Sequence, residues 1–271
     1  MPACTILLLS LIPTTTIPNF LKALSTTPLK PIVISRVIRW IILPTKLSTS
    51  ALLAQNISWT LLLILPTPSA SLPPSLHSQI SHTWTIQAGV PSRLLQDFPS
   101  KNATLLHPPP STIPPLTDSL SSPLSSSSAQ DLELSTELQH WISSNPLGDS
   151  AVSMLNLLAF KEGMKGEYLK YGAEFARSIG RKRGGDAKIV GSVIHGDGKK
   201  DKEEEGEQWD EIALAHYPSL THFADMLASE DFQSVNKRYR VGSLRDTAIL
   251  CVGVGAGAEW TTSYPRFLLI L

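Results

Sequence analysis

Six residues in the second half of the chain are of types that could do chemistry together. His195 is expected to end one strand of a hairpin and Trp209-Asp-Glu211 to begin its partner, which makes their side chains cross-strand or diagonal neighbours. With His195 and Glu211 on one face, the carboxylate would orient the imidazole for proton transfer near neutral pH. These two form the candidate catalytic pair. Asn156 and Tyr168 would hydrogen-bond a bound carbonyl or phenol, Trp209 would offer a ring, and Arg238 would neutralise an anion. The competing reading is a hairpin-end histidine in water and an arginine bonded to backbone carbonyls.

Other chemistry is poorly supplied. Gly253-Val-Gly-Ala-Gly257 does not satisfy GxGxxG and lacks a strand-to-helix setting, and HExxH, CxxC and GxSxG motifs are absent. A metal site would need His195, His216 and His222 brought together from distant positions, with His222 on an exposed helix face. Neither a metal nor another cofactor is therefore expected. Arg181-Lys-Arg183 reads as a solvated helix end. Cys4 and Cys251 are too few for a disulfide framework, which favours a reducing, cytoplasmic setting.

Charge excludes some partners. The 271 residues carry 23 Lys+Arg and 23 Asp+Glu, so the usual electrostatic case for binding nucleic acid or an anionic membrane is missing. The apolar runs at 5–12, 31–43 and 57–65 fall short of the ~20 residues a membrane span needs, and they read as buried strands. The first run also lacks a basic flank and ends at Pro13, so it does not read as a secretion signal.

The elements that must position the six residues follow from periodicity. Residues 153–160 form a strand. Met164, Tyr168, Tyr171, Phe175 and Ile179 then recur at spacings of three and four along one helix face, with Gly180 as the expected C-cap. Residues 187–195 and 209–217 form a hairpin around the charged run 196–208. Ser219 caps a second helix, with Leu220, Phe223 and Leu227 inward and Asp225 and Glu230 outward, and 247–252 is the last strand. The order β-α-β-β-α-β is that of a ferredoxin-like unit, whose second sheet face needs a cover.

The first half repeats this grammar, with strands at 5–12, 32–43 and 57–65 and a helix capped by Thr16. A second helix is expected through Leu72, Leu76 and Ile80, and a last strand at 103–107. Trp59 can be laid on Trp209, Leu62 on Ile212 and Ile64 on Leu214, which sets Leu61 against Glu211. The expected fold is α+β: two tandem ferredoxin-like βαββαβ units packed sheet to sheet as an intramolecular α/β barrel. Its parts are an N-terminal unit over 1–107, a Pro/Ser-rich linker over 108–130, an accessory helix capped by Ser135 and a connector over 131–150, a C-terminal unit over 151–254 and a tail over 255–271. The competing account leaves residues before 150 largely without structure, because proline is frequent there.

Four stretches carry a resemblance: Ser153-Met-Leu-Asn-Leu-Leu-Ala-Phe160, Glu167-Tyr-Leu-Lys-Tyr-Gly172, Trp209-Asp-Glu-Ile-Ala-Leu-Ala-His-Tyr-Pro-Ser219, and Ser229-Glu-Asp-Phe-Gln233 with Arg238. Over about 100 residues the chain resembles the dimeric α/β-barrel superfamily, and within it a fungal group of domains of unknown function. Relatives in that superfamily include cofactor-independent monooxygenases, ring-cleavage isomerases, haem enzymes and stress-induced proteins, so the resemblance implies a fold and no single reaction. The expectation is a barrel whose interior binds a small apolar or aromatic molecule, with cofactor-free proton-transfer or oxygenase-like chemistry. The chain would act as a monomer or weak homodimer. The alternative is a non-catalytic structural or stress-associated protein with a barrel filled by side chains.

Overall fold

The computed structural model describes residues 1–68, 72–123, 132–196 and 208–253. In chain order the elements are β1 (Ala3–Leu11), α1 (Ile17–Ser25), β2 (Val33–Ile42), α2 (Thr49–Leu52), β3 (Leu61–Leu65), α3 (Pro74–His77), β4 (Ile80–Gly89), α4 (Ser92–Leu95), α5 (Phe98–Leu106) and α6 (Thr136–Ser144). There follow β5 (Val152–Phe160), α7 (Lys165–Glu174), α8 (Gly180–Lys182), β6 (Asp186–Gly196), β7 (Glu211–Tyr217), α9 (Leu220–Ala228), α10 (Glu230–Val235) and β8 (Leu244–Gly253). Hydroxyl caps start three of the nine-residue helices, where the sequence puts them. Thr16 accepts from the Asn19 amide, Ser135 from Leu138 and Ser219 from His222.

The eight strands form one antiparallel sheet closed on itself in the order β1-β3-β2-β8-β5-β7-β6-β4. Two of its ladders join strands of the first half to strands of the second. β2 pairs with β8, with Val37 opposite Val252, and β4 pairs with β6, with Ala88 opposite Val193. Residues before 150 thus supply half of the ring.

Side chains alternate between the two surfaces of this sheet. Inside the ring, Ile6, Leu8, Leu62, Ile64, Trp84, Ile86, Leu155, Leu157, Ile212, Leu214, Leu250 and Val252 pack into one buried cluster. Trp59 and Trp209 join it, and their indole N–H groups donate to the Leu52 carbonyl at 2.9 Å and to Ser48 Oγ at 3.0 Å. Outside the ring, Phe20, Leu21 and Leu24 of α1 and Leu76 of α3 cover Leu7, Leu9, Leu61, Leu63 and Leu65. Leu138 and Ile142 of α6 and Phe223 and Leu227 of α9 help to cover Met154, Tyr217, Ile249 and Cys251. Each such aliphatic side chain, fully buried, contributes ~1.5–3 kcal/mol before chain entropy is counted.

Several elements depart from the sequence expectation. The second helix of the first half is only the single turn α3, and Ile80 already belongs to β4. Residues 103–107 lie at the end of α5 and its cap, and the last strand of that half is β4. Trp84, Ile86 and Ala88 alternate with Thr83, Thr85 and Gln87, a strand pattern that the assumed helix obscured. Gly180 ends no helix. A wide π-type turn, Phe175–Ile179, carries the chain into α8, and the left-handed position falls at Gly184, with φ of 68°.

Polar burial also differs. Arg183 and Asp225, expected in solvent, are buried and bonded at 2.9 Å. His222 is buried too, between Ser219 Oγ at 2.7 Å and the Pro114 carbonyl at 2.9 Å. Asp225 also accepts the Thr117 hydroxyl at 2.6 Å, so residues 114–117 of the expected linker sit on α9. Proline-rich chain gains order there by supplying acceptors and donors to groups that would otherwise be buried unpaired. The rest of that linker over 124–130, residues 197–207 of the charged run and the tail at 255–271 lie outside the described residues. Among the described residues, no helix is long and apolar enough to cross a membrane.

Candidate functional site

The outward-facing residues of β5 and β7 do not meet helices everywhere. A cavity of about 410 Å³ remains between that face of the sheet and α7. Met154 and Asn156 of β5, Glu211, Ala213 and Ala215 of β7 and Ile249 of β8 form its floor, and Tyr168, Tyr171, Gly172 and Phe175 its roof. Phe223 and Met226 of α9 close one side, and Leu94 of α4 and Val190 of β6 close another. Its volume is in the range of small-molecule sites, and so is its mostly apolar lining with a few polar groups.

The sequence reading put the binding space inside the ring. The interior is filled, because positions 155, 157, 212 and 214 are leucines and isoleucines that interdigitate with three tryptophans, and the cavity lies outside the ring. Small side chains at 213 and 215 instead open the outer surface of β7, so the two surfaces of one strand have opposite roles.

Asn156 is held by its own amide. Its Nδ2 donates to the Met154 carbonyl at 2.9 Å and the Ala213 carbonyl at 3.3 Å, which leaves Oδ1, an acceptor, as the end not used in these bonds. Glu211 is buried, and its carboxylate lies 3.4 Å from the Nζ of Lys165, a half-exposed lysine at the start of α7. Burial raises the Glu211 carboxyl pKa, Lys165 partly offsets this, and Asp210 adds to the rise. A carboxyl moved towards neutral pH in a cavity wall can give or take a proton.

Aromatic residues line the roof. Phe160 and Tyr168 lie tilted against each other with ring centres 5.1 Å apart, Tyr168 and Tyr171 likewise at 5.4 Å, and Tyr171 meets the Phe232 ring edge-on at 6.4 Å. Burial raises the pKa of both phenols, and the Arg240 guanidinium counteracts it, so they stay protonated donors. Arg240 is buried on a second π-type turn, Asn236–Arg240, where it donates to Asn236 Oδ1 at 3.4 Å and Thr247 Oγ1 at 3.3 Å.

The six sequence candidates therefore part company. Asn156, Tyr168 and Glu211 line the cavity together. Trp209 does not: it is buried in the ring interior and bonded to Ser48. Arg238 is exposed and lies over the Tyr239 ring at 5.0 Å, while Arg240, two residues on, is the buried guanidinium. With Phe232 inward, position 238 falls on the far side of the helix and position 240 returns towards the core. His195 belongs to β6 by its backbone, which pairs with Gln87, and its side chain lies outside the described part of the structure. The residue opposite Glu211 in the β6 ladder is Ser192.

Sequence reasoning missed Tyr171, Ala213, Ala215 and Lys165 as site residues. A signal was present: Ala213 and Ala215 alternate with Ile212 and Leu214, where the aligned strand of the first half has Leu63 and Leu65. Among the described residues, no group of three or more His, Cys, Asp or Glu is arranged to hold a metal ion.

No protein-family model matches the chain, and no curated protein matches it. Among solved structures, a protein of unknown function from Rhodopseudomonas palustris aligns with 45% of this chain and 95% of its own, at 18% identity and a TM-score of 0.37. A methylated form of it aligns with 46% and 94%, at 19% identity and the same TM-score. Similarity at this level carries no argument about fold or function.

Proposed function

We propose that the chain is a fused pair of ferredoxin-like units of the dimeric α/β-barrel kind, and that the cavity under α7 binds a small, mostly apolar or aromatic molecule. Strand order supports the first part. Around the ring, β4-β1-β3-β2 is followed by β8-β5-β7-β6, which is one order of strands used twice. Register supports it as well, since Leu8 opposite Leu62 corresponds to Leu157 opposite Ile212. A closed ring leaves no sheet edge to recruit another copy, which suits a monomer.

The observation that carries the functional reading is an asymmetry between the halves. In this correspondence Leu7, Leu61, Leu63 and Leu65 stand where the second half has Asn156, Glu211, Ala213 and Ala215. The leucines are packed solid under α1, whereas their counterparts line the cavity. A packed core tolerates few voids, so a retained one with polar groups in its wall is best explained by an occupant. Asn156 Oδ1 and the tyrosine hydroxyls would orient that molecule, and Glu211 would exchange a proton with it, without a cofactor.

The filled ring interior favours a second reading, a structural protein with no ligand. One experiment separates the two. 2-Naphthol, as an aromatic probe, is titrated calorimetrically into the protein and into the double variant Ala213→Leu/Ala215→Leu, which fills the floor. The ligand reading expects one site per chain that the double variant loses while its thermal unfolding stays cooperative. Equal binding by both proteins, or none together with no molecule retained in native mass spectrometry of protein from its own cells, would leave the structural reading.

A further inference from the structure

Outside the cavity, two buried basic side chains lie beneath α5. β6 bulges between Ala187 and Ile189 where it pairs with β7, and the extra residue is Lys188. Lys188 is 1% exposed, and its Nζ donates to Asn102 Oδ1 of α5 at 2.9 Å. An ammonium has three donors. Among the described residues no carboxylate lies within ion-pair distance of Lys188, and Asp186 is engaged by Lys101 of α5 at 2.7 Å. On β7, His216 is opposite Asp186 in the ladder, is 1% exposed, and has an Nδ1 with no hydrogen-bond partner among the described residues. The charged and titratable groups around Lys188 are thus Asp186 on its own strand, Lys101 from α5 and His216 from β7, while β5 contributes the neutral Ser153 opposite His216.

An enclosed ammonium with no counter-ion is costly, and the structure relieves this most directly by keeping the amine uncharged. Burial holds the Lys188 pKa down to about 7, against the attraction of Asp186 and with help from Lys101. Burial, reinforced by Lys188, holds His216 down to about 3. The helix over both groups is continuous with the cavity wall. α4 ends three residues before α5 begins, and Pro91, Arg93 and Leu94 line the cavity.

We propose that α4 and α5 form a proton-sensitive gate beside the cavity, latched over uncharged Lys188 and loosened when Lys188 takes up a proton and needs water. The effect on ligand entry rests on the binding reading above, while the latch does not. Once α5 lifts, Lys188 regains an ordinary lysine pKa of 10.5. Opening then becomes easier by up to about tenfold per pH unit as pH falls from 10.5 to 7, and levels off below 7, where both forms carry the proton. His216 adds a second, separate rise as pH falls from 6.5 to 3.

The test is amide hydrogen exchange on the full chain, corrected for the intrinsic pH dependence of exchange. Protection of residues 101–106 is expected to fall by about 10- to 100-fold from pH 9 to pH 7, with little change in β5. Lys188→Met should remove this alkaline dependence and keep the acid one, and His216→Phe should do the reverse. Protection at 101–106 that is constant from pH 9 to pH 7, that changes equally throughout the sheet, or that keeps its alkaline dependence in Lys188→Met would overturn the gate. If Lys188→Met does not fold, the comparison of 101–106 with β5 in the wild-type chain still decides. Naphthol binding with pH-independent exchange would sink the gate alone, and the expected exchange with neither naphthol binding nor a molecule retained in native mass spectrometry would sink only the cavity reading.

Discussion

Asp246 offers the sharpest test of how the two halves are held together. It lies on β8 and accepts five hydrogen bonds, four of them from the loop between β2 and α2. Oδ1 takes the Thr45 amide at 3.2 Å, the Thr45 hydroxyl at 3.1 Å and the Thr247 amide at 3.0 Å, and Oδ2 takes the Lys46 and Leu47 amides at 2.9 and 2.8 Å. In Asp246→Asn, whichever oxygen becomes an NH2 group, at least two N–H donors lose their acceptor and face another donor. Two charge-assisted bonds at ~1.5–3 kcal/mol each would amount to ~3–6 kcal/mol. Thr45 and Lys46 are exposed, so water replaces part of this and ~2–4 kcal/mol remains. At about 2–4 °C per kcal/mol for a chain of this size, Tm should drop by roughly 4–16 °C at pH 7.

The pH dependence gives an internal check. Burial would raise the Asp246 carboxyl pKa, but the Leu47, Lys46 and Thr45 donors outweigh it and hold the carboxyl below its ordinary 3.8. Its stabilisation is therefore complete above 3.8 and lost as pH falls through the lower folded value. The gap between wild type and Asp246→Asn, measured by scanning calorimetry, should be widest at pH 5–7 and close towards pH 2. The same loop carries Ser48 and leads to Leu52, the partners of Trp209 and Trp59, so tryptophan fluorescence should follow the same transition. A Tm change under 2 °C at pH 7, or a gap that persists at pH 2, would refute the role given to this carboxylate.

Two further substitutions probe the helices over the cavity. Arg183→Met leaves Asp225 buried without its cation and should cost ~3–5 kcal/mol in urea denaturation, with part recovered in Arg183→Met/Asp225→Leu. Because Thr117 shares this network, the single variant should also become sensitive to limited proteolysis near residue 117. In Gly180→Ala the added Cβ would come within 2.7 Å of the Phe175 ring, which also lines the cavity. It should cost ~1–3 kcal/mol and weaken naphthol binding, and unchanged binding would remove Phe175 from the working wall.

Legibility followed the range of the interactions. The hydroxyl caps at Thr16, Ser135 and Ser219 act within three residues, and each was readable. Asn156, Tyr168 and Glu211 were readable as polar groups on elements predicted to be neighbours. Arg238 was singled out for its charge alone, but the phase of α10 and the turn after it brings Arg240 inward. Trp209 was read as a ligand contact because it stands two residues before Glu211 in the expected strand, but β7 begins only at Glu211, and the chain before it leaves the alternation and buries the indole in the ring interior. The strand β4 was missed because a helix was carried over from the second half, while its own alternation of Trp84, Ile86 and Ala88 was the better signal.

By itself the sequence determined what is local: the alternating and fully apolar runs, the capped amphipathic helices, the order of elements, and the polar residues available in the second half. Only the tertiary structure decided which surface of each strand meets which partner. The ladders β2–β8 and β4–β6 join residues far apart in the chain and close the ring, and that closure gives the large residues the inside and puts Ala213 and Ala215 beneath α7. Arg183, Asp225 and Lys188 show the same dependence, being charged residues whose burial depends on elements that approach from elsewhere in the chain. A cavity is a mismatch between packed surfaces, so it exists only after the chain has closed.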